Sequence, residues 1–187
     1  IQSASTKPFV FMPFYPGPGI GGHCIPVDPQ YLAWKLKMLD YDAKLIHASE
    51  IINLTMPHFV VEKTKKALQE NGVKINDARL LILGVAYKAD VGDVRESPAI
   101  EIIQEFLLIA KDVQYNDPYV DVLELDGVPF QSTALEKDFL STRDVVVIIT
   151  DHSDYDYKEI MESSKLIVDT RNAIKPFLGT QCVVVKL

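Results

Sequence analysis

The sequence predicts an α/β protein in which a helical segment leads into a doubly wound parallel sheet. Three observations carry that reading. From about residue 75, short β-branched runs alternate with helical segments (80–84, 99–110, 113–115, 135–140, 145–150, 157–161 and 166–169), the order expected of βαβ units. The run Val145-Val146-Val147-Ile148-Ile149 is continuously apolar rather than alternating, as strands buried on both faces of a parallel sheet are. Ahead of these runs, residues 47–70 form a long helical stretch with Ile51, Ile52, Leu54, Phe59, Val60, Ala67 and Leu68 apolar, stopped by Asn71-Gly72.

Taken in chain order, residues 9–29 come first. They carry five prolines (13, 16, 18, 26, 29) and four glycines (17, 19, 21, 22), which no helix or central strand tolerates, so this is an ordered loop or has no order at all. Residues 31–39 hold Tyr31, Leu32, Trp34, Leu36, Met38 and Leu39 without a clean period. Length and propensity there predict a short buried helix after Pro29, with Trp34 in the core. Pro57 lies within 47–70; it either kinks one helix or separates two, the second capped by Thr55. The surplus of apolar residues on this stretch predicts a dimer. Ser97 is a good cap, with Pro98 at the first position of the next helix. Ligands of a doubly wound sheet bind beyond the carboxyl ends of its strands, here residues 84–93, 116–118, 150–153 and 170–172. The expected division is 1–74 and 75–187.

Composition narrows the function classes. With 19 basic against 26 acidic residues, the net charge of -7 over 187 residues provides no field to draw in nucleic acid or anionic lipid. No apolar run approaches the ~20 residues that cross a bilayer, and the N-terminus lacks a signal-peptide pattern. Cys24 and Cys182 are too few and too distant for a disulfide framework or a zinc site. These features predict a cytoplasmic protein with no metal, no membrane and no nucleic-acid partner. An opening Ile1 that reads as mid-protein sequence predicts a piece of a longer polypeptide.

Two segments carry chemistry. Gly17-x-Gly19-x-x-Gly22 matches the dinucleotide-binding expression, but no strand precedes it and no helix opens within it, so it is not that fingerprint. Its glycines instead allow backbone N–H groups to approach a ligand beside Cys24, with Asp28 four residues on. A lone cysteine is ordinarily a small buried hydrophobe, the reading Cys182 takes. Cys24 differs because neighbouring backbone donors can lower a thiol pKa and stabilise an oxyanion. His23, on extended backbone, would point to the other face and reads as structural. Asp28 is a turn or cap residue, or a carboxylate of the site. His47, His58 and His152 are scattered and receive no chemistry. The second segment, residues 84–98, leaves the first strand and places Lys88 and Arg95 at the switch point for phosphates, or in a solvated charged loop.

Together these segments resemble the nucleotide-sugar 6-dehydrogenase family, the UDP-glucose and GDP-mannose dehydrogenases. Gly21-Gly22-His23-Cys24-Ile25-Pro26-Val27-Asp28 is similar to the catalytic cysteine motif, and Tyr87-Lys88 through Arg95-Glu96-Ser97-Pro98 to the signature opening the UDP-binding domain. The longer string from Pro13 to Cys24 most resembles the branch acting on UDP-N-acetylhexosamines, such as UDP-N-acetylglucosamine 6-dehydrogenase. The resemblance implies a Rossmann-like UDP-binding domain at 75–187, preceded by part of a helical dimerisation domain. It also implies oxidation of a UDP-hexose C6 alcohol to the uronate by NAD, through a cysteine thiohemiacetal and thioester. Cys24 would be the nucleophile and Asp28 its supporting carboxylate. Tyr15, Gly17, Gly19, Gly21, Tyr87, Lys88 and Arg171 would bind the UDP-sugar, and Arg95 would reach the NAD. Where the family carries an arginine ahead of the cysteine loop, the nearest basic residue is Lys7. The family's glycine fingerprint and remaining catalytic residues would lie before position 1, so this chain alone is expected to be inactive. The alternative is a stand-alone nucleotide-binding or scaffolding module in which Cys24 is inert.

Overall fold

The computed structural model describes residues 2–7, 9, 11, 14–174 and 181–187; Pro13, at the start of the cysteine-loop string, lies outside them. The order is α1 (Gln2–Ser5), α2 (Asp28–Lys37), α3 (Lys44–Glu70), β1 (Arg79–Leu83), α4 (Pro98–Ile109), β2 (Asp112–Asn116), β3 (Val122–Leu125), β4 (Val128–Gln131), α5 (Lys137–Ser141), β5 (Val145–Ile148), α6 (Tyr157–Ser163), β6 (Leu166–Asp169) and β7 (Val183–Lys186).

Strand pairing follows from the apolar runs. Past Arg79 at the start of β1, the strands β1, β5 and β6 have no polar residue to present to water before the strand ends, so both their faces must be covered. They form the middle of a five-stranded, all-parallel sheet in the order β2-β1-β5-β6-β7. Leu80, Ile82, Val147 and Val168 point to one face, where Val60, Val61 and Leu68 of α3 pack with Ile102, Ile103 and Phe106 of α4. Leu81, Leu83, Val146 and Ile167 point to the other, against Leu140 of α5 and Ile160 of α6. The sheet is therefore doubly wound, as the sequence predicts. Ser97 caps α4 with its hydroxyl accepting from the Ala99 N–H at 3.3 Å, and Pro98 follows it.

Several elements differ from expectation. Residues between β2 and α5 form a β3–β4 hairpin. Its turn residues Asp126 and Gly127 both have positive φ, 51° and 80°, as a two-residue type I′ turn demands. The edge strand β7 is likewise additional. Around Pro57, α3 is a single 27-residue helix rather than two, and the Thr55 hydroxyl donates back to the Ile52 carbonyl at 2.8 Å instead of capping a second helix.

The helix after Pro29 is exposed rather than buried. Ala33 is the buried residue of α2, and Trp34, expected in the core, is 63% exposed. α2 packs chiefly on α3, which leaves Tyr31, Leu32 and Trp34 exposed.

Gly84 ends β1 with φ 78°, and a Cβ there would lie 2.5 Å from Thr150 Cβ and carbonyl oxygen. Gly72 has nearly the same φ, 77°, with nothing within 4 Å of that position. Replacing each by alanine separates backbone strain from overlap. Urea unfolding is expected to show Gly72→Ala costing about 1 kcal/mol and Gly84→Ala about 2–4 kcal/mol; equal losses would contradict the role assigned to the Thr150 contact.

Candidate active site

The order β2-β1-β5-β6-β7 places the topological switch point between β1 and β5, whose carboxyl ends are the expected ligand edge of such a sheet. A buried polar network occupies that edge. Asp117, just after β2, is 2% exposed, and His152, after β5, is 0% exposed. Asp117 Oδ2 accepts from the Val85 and Ala86 N–H groups at 2.7 and 3.0 Å, and Oδ1 from the Tyr119 N–H at 2.8 Å. His152 Nδ1 accepts from the Asp90 N–H at 2.9 Å. A nitrogen that accepts carries no proton, so the neutral ring holds its hydrogen on Nε2 and donates it to Asp117 Oδ2 at 3.0 Å.

Thr150 and Ser153 complete the frame. The Thr150 hydroxyl donates to the Ala86 carbonyl at 2.6 Å, and Ser153 donates through its N–H and hydroxyl to Asp90 Oδ1 at 2.8 and 3.0 Å. Burial alone would raise the Asp117 carboxyl, but the His152 ring N–H and three backbone N–H donors outweigh it and hold the group below its ordinary value. The Ser153 hydrogen bonds likewise lower Asp90.

The cysteine loop lies across this edge. Asn53 of α3 grips Ile20 on both sides, Oδ1 accepting from the Ile20 N–H at 2.7 Å and Nδ2 donating to its carbonyl at 3.3 Å. The Gly22 N–H donates to the Arg95 carbonyl at 2.9 Å. Gly21 rests on the Glu96 carbonyl and the Tyr87 side chain, and a Cβ on Gly22, at φ 87°, would lie 2.7 Å from the Tyr87 ring. Gly19 packs on Pro98, and a Cβ on Gly17 would lie 2.7 Å from Arg171 Nη1. Tyr15 borders a hollow of about 190 Å³ at the β6 end, together with Asn172 and Lys186. The glycine density thus serves close packing of the loop on Tyr87, Glu96, Pro98 and Arg171.

Cys24 is exposed at the turn that leads into α2. Its carbonyl accepts from the Asp28 N–H at 2.8 Å, so Asp28 sits in the first turn of α2, ahead of which Val27 is the cap residue. The backbone here bends rather than extends, and His23 Nδ1 lies 3.9 Å from Cys24 Sγ; His23 does not point to the opposite face. Arg95 grips Asp93 through Nε and Nη2, the latter at 2.6 Å. That hydrogen bonding lowers Asp93 and raises Arg95, with lesser contributions to Arg95 from nearby Tyr87 and Cys24. Lys88 is exposed. Arg171 is held by Asp151 Oδ1 at 3.1 Å from its Nε. Cys182 is half-buried, and burial pushes its thiol up to about 11. Among the described residues no cluster of three His, Cys, Asp or Glu side chains can hold a metal ion, and no helix is long and apolar enough to cross a membrane.

The structure therefore gathers Gly17, Gly19, Gly21, Tyr87, Arg95 and Arg171 along one edge, with Cys24 and Lys88 exposed near it. Asp117, His152, Asp90 and Asn53 escaped the sequence reading. Their partners outside the local turn lie 31 to 63 residues away, although Asp117 and His152 fall in two of the strand ends marked as ligand-facing.

A doubly wound sheet whose switch point is overlaid by a glycine-rich loop defines an α/β protein of the Rossmann-like class with an exposed cysteine near its ligand edge. Residues 81–176 match the family model of the UDP-glucose/GDP-mannose dehydrogenase family, UDP binding domain, and residues 1–55 match that family's central domain. The chain belongs to the UDP-glucose/GDP-mannose dehydrogenase family. It is 35% identical over 183 residues to the UDP-N-acetyl-D-mannosamine dehydrogenase of Methanocaldococcus jannaschii, covering 93% of this chain and 39% of the relative. It is 32% identical over 160 residues to the NDP-N-acetyl-D-galactosaminuronic acid dehydrogenase of Ralstonia nicotianae, covering 83% and 36%. The solved UDP-D-ManNAc dehydrogenase structure from Pyrococcus horikoshii superposes with a TM-score of 0.81 at 32% identity, covering 100% of this chain and 42% of that one. The chain thus spans about two fifths of the length of the curated relatives it matches.

Because the folded pKa of Asp117 is depressed, its ionisation contributes stability that is complete above the ordinary carboxylate value of 3.8 and is lost as pH falls through the folded value. Urea melts are expected to show Asp117→Asn losing about 2–3 kcal/mol at neutral pH. Below pH ~4 its stability should fall less steeply than that of the parent; an unchanged acid slope would refute the assignment.

Proposed function

We propose that this chain is the UDP-sugar-binding and thiol-bearing portion of an NAD-dependent dehydrogenase that oxidises the C6 alcohol of a UDP-N-acetylhexosamine to the uronate in the cytoplasm. The observation that carries the reading is the seating of Gly21-Gly22 on Tyr87 and Glu96, which joins the cysteine loop to the switch-point loop. The names of the relatives support an N-acetylated hexosamine. In this reading Lys88 and Arg171 neutralise the pyrophosphate, with Tyr15, Tyr87 and the backbone of Gly17, Gly19 and Gly21 lining the sugar-nucleotide. The units divide at 74/75.

The Cys24 thiolate adds to the C6 aldehyde carbon, forming the C–S bond of a thiohemiacetal whose oxygen takes a proton. At the thioester stage water adds to the carbonyl carbon, the C–S bond breaks and the thiolate returns as the carboxylate leaves. Asp28 orients that water. NAD, when bound, would take a hydride twice, once as the C6 alcohol becomes the aldehyde and once as the thiohemiacetal becomes the thioester. The Ile20 and Gly22 N–H groups are already bonded to Asn53 and Arg95, and Arg95 spends Nε and Nη2 on Asp93. The exposed Leu45, Ile51, Ile52, Leu54 and Phe59 of α3, with Tyr31, Leu32 and Trp34 of α2, form the face of a homodimer.

A thermal-shift titration tests the reading. UDP and a UDP-N-acetylhexosamine are expected to stabilise the chain, by about 2.7 kcal/mol at one hundred times Kd, whereas NAD leaves it unchanged and no NADH forms. Light scattering is expected to give twice the chain mass. Stabilisation by NAD alone, or NADH production by this chain, would overturn the assignment.

A further inference from the structure

The buried ring of His152 has no part in the chemistry above, yet it touches both feet of the segment that carries Tyr87 and Lys88. One foot is Val85-Ala86, whose N–H groups end on Asp117, the acceptor of the His152 Nε2 proton. The other is Asp90, whose N–H ends on His152 Nδ1. Residues 87–89 span between them as an arch. At its crown the Tyr87 ring is the seat of Gly22, two residues from Cys24.

We propose that His152 is a positioning residue that sets the height of this arch, and through it the placement of Lys88 toward a nucleotide diphosphate and of the Cys24 loop on Tyr87. The inference deepens the functional reading and rests on it for the nucleotide arm. The two hydrogen bonds are unequal in consequence. Asp117 retains three backbone donors if the imidazole is lost, whereas the Asp90 N–H has the ring as the acceptor the structure provides. The Asp90 N–H is therefore the group that depends on His152, while Ser153 holds the Asp90 carboxylate. Tyr119 and Tyr155 enclose the ring at centroid distances of 5.0 and 5.7 Å. The Asp90 carboxylate lies 4.0 Å from Nδ1.

The conservative variants divide the two bonds. His152→Asn places an amide oxygen where Nδ1 stood and keeps the Asp90 foot; His152→Gln places an amide nitrogen where Nε2 stood and keeps the Asp117 bond. UDP affinity by calorimetry and iodoacetamide labelling of Cys24, with Cys182 as internal reference, are measured on the folded chain for the parent, both variants, His152→Ala and Lys88→Ala. His152→Ala is expected to weaken UDP about tenfold and to slow Cys24 labelling about threefold, Cys182 being unchanged. Asn should restore most of both losses and Gln little. Parent-like behaviour of His152→Ala, or of Gln with Asn failing, overturns the proposal, as does faster Cys182 labelling in step with Cys24, which marks general loosening. Should His152→Ala not fold, the Asn and Gln pair decides alone. A parent chain that binds no UDP, with Lys88→Ala equally silent, refutes the functional reading, and the Cys24 labelling order then decides the positioning role by itself.

Discussion

A carboxylate stripped of water at the end of a parallel sheet is the constraint from which the rest of this ligand edge follows. Moving an ionised group such as Asp117 out of water costs several kcal/mol unless its lone pairs are filled. Four donors fill them: two N–H groups leaving β1, one just after β2 and one ring nitrogen after β5. Three separate strand ends thereby converge on two oxygens. That convergence makes the backbone of β1 turn sharply at Gly84, where a side chain would strike Thr150. It also makes Thr150 close the turn by donating to Ala86.

From there the geometry passes outward by contact. Tyr87 leaves the turn half-buried; its ring is the seat of Gly22, and its Cβ with the Glu96 carbonyl is the seat of Gly21. The thiol loop is consequently held on three sides: by Tyr87 and Glu96 beneath Gly21 and Gly22, by Arg171 against Gly17, and by Asn53 around Ile20. The Asn53 clamp stands four residues before Pro57, which has no N–H to give the Asn53 carbonyl. The same residue thus has a carbonyl released from the helix ladder and a side chain engaged in the loop. The Asn53 amide nitrogen is committed to Ile20 and the Thr55 hydroxyl to Ile52.

What was legible in the sequence is what local pattern determines. Continuous apolar runs give β1, β5 and β6; Ser97-Pro98 gives the start of α4; and the glycine, cysteine and Tyr87-Lys88 motifs mark where the edge lies. The missing pieces depend on residues far apart or on weak local signals. The β3–β4 hairpin has its Asp126-Gly127 turn in plain view, but its flanking strands are only four residues each and interrupted by Pro129, which hides them from a periodicity search. His152 looks ordinary because its partners, Asp117 and Asp90, reach it only through the winding of the sheet. Glycine spacing shows where side chains are missing, while the neighbours that pack there, Arg171 on Gly17, Pro98 on Gly19, Glu96 on Gly21 and Tyr87 on Gly22, are set by the fold.

The helix α3 unites the two kinds of surface. Its second half, with Val60, Val61, Thr64, Ala67 and Leu68 buried, is part of the sheet's core, while its first half carries the exposed apolar residues Leu45, Ile51 and Ile52. Asn53 stands between them. A continuous α-helix transmits displacement along its axis because its hydrogen-bond ladder is stiff over a few turns. The Ile20 clamp is thus referenced to the sheet through one end of α3 and exposed, through the other, to whatever covers the apolar face. Burying that face would restrain the first half of α3 and with it the loop that presents Cys24. The exposed aliphatic surface and the thiol therefore belong to one mechanical unit, joined at a single asparagine.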